Sequence, residues 1–185
     1  MIKRGSKGVN VSKIQYKLGV TPNGTFDRAL EQKVMEWQTQ MGLLSDGLVG
    51  NITWSKMFGC SMDEFSPIGV VVHSMTERID WDGEIITARE LLDKLGLSVH
   101  AFIHPNGRIE EMVSTDKKGV HAGVSKHRGL SGLNSYFLGF ELLVEGTNDY
   151  GKFVQKIEEE NCYTEQQINS AIQLTKKWMD KYNIK

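Results

Sequence analysis

Five histidines, at positions 73, 100, 104, 121 and 127, and a glutamate inside an apolar run, Glu141, are the side chains best placed to do chemistry in this sequence. None of the histidines has the helical i, i+4 spacing with an intervening glutamate that marks a metalloprotease helix. His73 ends the apolar run Val70-Val71-Val72. An imidazole there is either one ligand of a metal or a hydrogen-bonded structural residue, and the residues alone leave both readings open. His100 and His104 fall on a predicted strand, where residues four apart share a face about 13 Å apart, too far for one metal ion. His121-Ala122-Gly123 reads as a small-residue loop that exposes its imidazole. Glu141 stands in Phe140-Glu141-Leu142-Leu143, where strand alternation either turns it to solvent or buries it. The pattern favours solvent; burial would raise its pKa and suit proton transfer.

The elements that must position these residues fall into two segments. Residues 1–60 carry a helical rhythm: Val11, Ile14 and Leu18 mark one face, and Leu30, Val34, Trp37 and Met41 another, each followed by a glycine stop at Gly19 or Gly42. A third short helix is predicted from Ile52 to Phe58, capped by Asn51, with Trp54, Met57 and Phe58 facing inward. Asn23-Gly24-Thr25-Phe26 and Asp46-Gly47-Leu48-Val49 form an internal echo, each leading into a helix. Trp37 and Trp54 sit at core positions, which favours packing over sugar stacking.

Residues 61–67 are polar, contain a proline and read as a linker. From residue 68 strands alternate with helices. Val70–Val72 suits a buried strand. Thr87-Ala88-Arg89-Glu90 is a capping box opening a helix that carries Leu91, Leu92 and Leu95. Val99–His104 and Arg108–Val113 flank an Asn106-Gly107 turn and predict a hairpin. Phe137–Val144 is a second buried strand. Thr164-Glu165-Gln166-Gln167 is a second capping box, opening a last helix with Ile168, Ile172, Thr175, Met179 and Tyr182 on its face. The fold class is therefore α+β: a three-helix N-terminal domain, then a mixed sheet flanked by helices.

Composition narrows the partners. Twenty-two Lys and Arg against 23 Asp and Glu give a net charge of −1 over 185 residues, with no basic tract. That predicts no nucleic-acid or anionic-lipid binding and is compatible with a largely uncharged polymer. The polar start Met1–Ser6 predicts no secretory signal, and no stretch reaches the roughly 20 apolar residues that span a bilayer. Cys60 and Cys162 lack paired spacing and are expected to be reduced thiols.

Two resemblances organise these observations. Residues 1–60 resemble the peptidoglycan-binding domain of cell-wall hydrolases, through Gly8-Val9-Asn10-Val11, Ile14-Gln15, Leu18-Gly19, the two echoed turns, Trp37-Gln38, Gly42-Leu43 and Thr53-Trp54. Residues 68–182 resemble the zinc-dependent N-acetylmuramoyl-L-alanine amidases. The matching motifs are Val72-His73-Ser74, Val99–Ile103 before Asn106-Gly107-Arg108-Ile109, Asp116–Ser125, Asn134, Leu138-Gly139-Phe140-Glu141-Leu142, Glu145-Gly146 and Tyr163–Gln167.

The second resemblance implies hydrolysis of the amide between N-acetylmuramic acid and L-alanine, with zinc as cofactor and peptidoglycan as partner. It implies His73 as the first zinc ligand, Glu141 as the acidic catalytic residue, and His121, Asn134 and His100 as substrate-groove residues. The family draws its remaining ligands from beyond its last long helix, and here no histidine follows His127. The expectation is a C-terminally incomplete amidase domain over 68–185. Its site would be completed by a missing segment, by a partner, or by recruiting His121 or His100. An uncovered sheet edge would favour self-association. A wall-binding module ahead of an amidase resembles a bacteriophage endolysin, made in the host cytoplasm without a signal and released to the wall by a separate holin. A catalytically incomplete peptidoglycan-binding protein is the alternative.

Overall fold

The structure, a computed structural model, describes residues 1–158 and 162–184. The chain divides into two compact units. The first comprises Met1–Gly69, Gly123–Phe137 and Met179–Lys185, and the second Val70–Ala122 and Leu138–Trp178.

In the first unit, helices α1 (Val9–Lys17), α2 (Arg28–Gln40) and α3 (Asn51–Phe58) surround a core of Val11, Ile14, Phe26, Leu30, Val34, Val49, Trp54, Met57 and Phe58. Asp27 caps α2, its carboxylate accepting from the Leu30 amide at 2.8 Å. The residue capping α3 is Gly50 rather than the expected Asn51, whose side chain makes no capping bond and which enters as the first helical residue. Trp54 is fully buried, stacks 4.3 Å from Phe58 between ring centroids, and donates its indole N–H to Ser66 Oγ.

The internal echo has a shared geometry. Gln15 Nε2 donates to Asn23 Oδ1 and to the Thr25 carbonyl, while its Oε1 accepts from the Asn23 and Gly24 amides. Twenty-three residues on, Gln38 Nε2 donates to Asp46 Oδ1 and the Leu48 carbonyl, and its Oε1 accepts from the Gly47 amide. Each buried glutamine thus stands in for the backbone partner that its turn lacks. The expected α2 face is corrected accordingly: Gln38 is buried with Leu30 and Val34, while Trp37 is half-buried and Met41 exposed.

The second unit is built on a five-stranded mixed sheet. Its strands are β1 (Gly69–Trp81), β2 (Glu84–Thr87), β3 (Ala101–Ile103), β4 (Ile109–Glu111) and β7 (Phe137–Thr147), in the order β2-β1-β7-β3-β4. β3 runs parallel to β7, with Phe102 opposite Glu141, and antiparallel to β4. Helix α4 (Ala88–Leu95) starts at the expected capping box: Thr87 and Glu90 each bond the other's backbone amide. Ala88 and Leu92 pack with Val99, Phe102 and Leu143 into one core.

Helix α5 (Tyr150–Glu158) follows β7, and α6 (Glu165–Tyr182) closes the described chain. The predicted α6 face is corrected in part: Tyr182 is buried as expected, and Thr175 and Met179 are half-buried. Ile168 and Ile172 are exposed, and the buried stripe is Gln167, Leu174, Trp178 and Tyr182. Gln167 also departs from its capping box. Its amide bonds Thr164 Oγ1, but its side chain reaches across to the Ile103 and Leu143 carbonyls at 2.7 and 3.0 Å, tying the helix to β3 and β7. The third pair of strands, β5 (Lys126–His127) and β6 (Leu130–Ser131), forms a small separate hairpin in the first unit. Cys60 and Cys162 are thiols, as expected. Among the described residues no helix is long and apolar enough to cross a membrane.

Candidate functional site

Strand β1 carries His73 and the loop after Val120 carries His121, and the two imidazoles meet. His73 Nε2 lies 2.9 Å from His121 Nδ1, with ring centroids 5.1 Å apart and planes at 75°. At that separation one nitrogen donates a hydrogen bond to the other. Burial pushes the His73 pKa below its ordinary value, which disfavours its charged form.

The floor under His121 is backbone. Gly139 of β7 lies so close that a Cβ there would sit 2.5 Å from His121 Nδ1 and 2.7 Å from its Cγ. Any side chain at 139 therefore displaces the imidazole. His100 completes the wall, its ring centroid 5.8 Å from that of His121. Its Nδ1 accepts from the Gly139 amide at 3.0 Å, which fixes the tautomer so that Nε2 donates to the Lys117 carbonyl, also at 3.0 Å. His100 is buried, and these backbone bonds make it a brace for the strand beneath His121. His104 lies in a different cluster, with Nε2 3.1 Å from Glu110 Oε2 and Nδ1 3.7 Å from Glu77 Oε1.

Two residues beyond Gly139, on the same face of β7, comes Glu141. It is 8% exposed, against the solvated reading that its sequence pattern favoured. The pattern misleads because β7 is buried from Phe137 through Val144 on both faces, so alternation carries no information there. One of its oxygens, Oε2, has no hydrogen-bond partner among the described residues. Desolvation pushes its pKa up to about 8, so the carboxyl is protonated at neutral pH.

Two neighbours, Ser74 and Tyr163, are named within the motifs of the resemblance but given no role there. Tyr163, just ahead of α6, donates its hydroxyl to Ser74 Oγ at 2.6 Å, and Ser74 in turn bonds the Leu142 carbonyl. The Tyr163 pKa is raised, chiefly by burial, with the charge of Glu141 among the further causes. The available signal was adjacency: Ser74 follows His73, and Tyr163 precedes the capping Thr164. Asn134 occupies a 3-10 turn, Leu133–Ser135, in the first unit. Among the described residues no group of three His, Cys, Asp or Glu gathers to hold a metal ion.

A protonated, buried carboxyl thus lies on the face of β7 that also seats an imidazole pair. Residues 64–185 match the family model described as N-acetylmuramoyl-L-alanine amidase, and the chain belongs to that family. Residues 11–57 match a putative peptidoglycan binding domain.

Among curated relatives, the 1,6-anhydro-N-acetylmuramyl-L-alanine amidase AmpD of Salmonella typhimurium strain LT2 is 31% identical over 110 residues, 51% of this chain and 57% of the relative. The AmpD of Escherichia coli K12 is 27% identical over 144 residues, 69% and 70% of the two chains. The chain thus spans little more than half the length of the Salmonella relative. Similar solved structures include the N-acetylmuramoyl-L-alanine amidase LysC from Clostridium intestinale (22% identity, 65% of this chain, 67% of that one, TM-score 0.44). The amidase AmiD from E. coli, solved with a muropeptide substrate, is also similar (25% identity, 64% and 45% coverage, TM-score 0.45).

Proposed function

We propose that this chain acts on bacterial peptidoglycan as an N-acetylmuramoyl-L-alanine amidase of the endolysin type, hydrolysing the amide that joins the muramic acid lactyl group to L-alanine. The observation that carries the reading is Glu141, a buried carboxyl with its pKa pushed up to about 8, within the family-matched segment. Amide hydrolysis needs a proton delivered to the departing nitrogen, and a carboxylic acid that is protonated at neutral pH supplies it. His121, seated on Gly139 and hydrogen-bonded to His73, presents its imidazole to the substrate carbonyl or to water. His100 acts through His121 as a positioning residue. The wall-matched segment 11–57 supports retention on the polymer, and the order of the two segments supports an endolysin delivered to the wall by a separate holin.

Zinc belongs to the family reading, with His73 as its first ligand. A hydrolytic zinc centre takes three protein donors and leaves one position for water. The described residues bring together two imidazoles, and no third donor joins them, so they do not make up such a centre. That observation favours a second reading, a wall-binding protein or amidase fragment whose site is completed by a further segment or a partner.

Release of stem peptides with a free L-alanine amine from purified wall, together with zinc content, separates the two. The amidase releases peptides. A protein that sediments with the wall, holds no zinc and releases nothing conforms to the second reading.

A further inference from the structure

The two-residue turn Arg128-Gly129 that joins β5 to β6 departs from local preference. Arg128 has φ 44° and Gly129 φ 84°, the double positive-φ signature of the tight hairpin turn that asparagine or glycine normally opens. An arginine pays a steric cost for that conformation, and strained residues that persist cluster where they bind something. The tip is also held in place. A Cβ at Gly129 would lie 3.0 Å from the Pro22 carbonyl oxygen, so the turn sits directly on the Thr21–Pro22 segment.

Beside this tip opens a cavity of about 630 Å³ whose wall includes Tyr16, Lys17, Val20, Pro22, Ile68 and Arg128. Its size is that of a small-ligand site. Lys17 and Arg128 are the charged residues of its lining, and no acidic side chain lines it among the described residues. The Lys17 ammonium donates to the Asn183 carbonyl, and of the two cations Arg128 has the planar fork that pairs with a carboxylate. A mostly apolar cavity with a forked cation in its lining fits a ligand that is aliphatic along its length and ends in a carboxylate.

We propose that this cavity is a second wall-contact site, separate from the His73–His121 groove, which takes a carboxylate-bearing stem peptide of peptidoglycan. The carboxylate sits on Arg128, and the aliphatic part lies against Val20, Pro22 and Ile68. The assignment rests on peptidoglycan being the polymer this chain acts on.

The test compares the full chain with its Arg128→Asn variant, titrated with the tripeptide L-Ala-γ-D-Glu-L-Lys and with the same peptide after its carboxylates are amidated. Binding is followed through the NMR amide signals of Val20, Thr21 and Gly129 and, separately, of residues flanking His73 and His121. Asparagine suits the turn, so the variant is expected to melt at or above the wild-type temperature, which removes misfolding as an explanation. The expected result is that the acid peptide shifts the cavity signals. Amidation and Arg128→Asn should each weaken that response by about tenfold or more, as for loss of a charge-assisted bond.

Equal binding of acid and amidated peptides, unchanged binding by Arg128→Asn, or shifts confined to the His73–His121 groove would each overturn the proposal. The last outcome leaves the amidase reading standing. Conversely, cavity shifts in a protein that releases no peptide from the wall would count against the amidase reading alone.

Discussion

A carboxyl that stays protonated in the folded chain ties stability to pH with a definite sign. Glu141 has a folded pKa of about 8 against an ordinary value of 4.5, so between those values the native state binds more protons than the unfolded state. Stability therefore falls as pH rises through that window, by a total on the order of a few kcal/mol. Glu141→Gln removes this dependence, and urea midpoints at pH 5 and pH 9 should converge in the variant while the wild type loses ground at pH 9. Parallel behaviour of the two proteins would mean that Glu141 ionises normally.

Gly139→Ala makes a second claim at this scale. Its methyl would meet the His121 ring at about van der Waals overlap, and overpacking of this kind costs roughly 1–3 kcal/mol. The cost should largely vanish in a His121→Ala background, which a double-mutant cycle by urea denaturation would measure. The burial of Glu141 was not legible in its own tetrapeptide, because a strand buried on both faces carries no alternation. The His73–His121 contact, formed across 48 residues of sequence, was not legible from spacing either.

Secondary elements with local signals were the readable ones. The Thr87–Glu90 capping box, the Asn106-Gly107 hairpin and the inward face of Trp54, Met57 and Phe58 all formed where the sequence placed them. Thr87→Ala should cost about 1 kcal/mol of stability in chemical denaturation, the usual worth of such a cap. What escaped was structure held by polar side chains. Gln15 and Gln38 lie in the core, each closing a turn eight residues later, and apolar periodicity cannot flag a buried amide. Gln167 hid the α6 face in the same way, since its bonds to β3 and β7 turn Ile168 and Ile172 outward. Either Gln15→Ala or Gln38→Ala strands backbone groups that are now paired in partly buried turns and should cost about 1–3 kcal/mol in urea unfolding. The β1–β2 hairpin had a signal that was passed over: Asp82-Gly83, with φ 55° and 84°, is the dipeptide that favours this turn.

For the molecule as a whole, the α+β class was legible in the sequence. The family models match 11–57, as a putative peptidoglycan binding domain, and 64–185, as the amidase. The two compact units do not follow that linear division, because residues 123–137 and 179–185 join the N-terminal helices through contacts that a one-dimensional reading does not contain.

The proposed reaction has Glu141 supply the proton for cleavage of the muramoyl–L-alanine amide. It is tested most directly by counting new L-alanine amino termini released from purified peptidoglycan by the wild-type chain and by Glu141→Gln, with sedimentation on the wall measured alongside. The expected result is release by the wild type, a loss of about a hundredfold or more in the variant, and equal sedimentation of the two. Release by Glu141→Gln at the wild-type rate would contradict it.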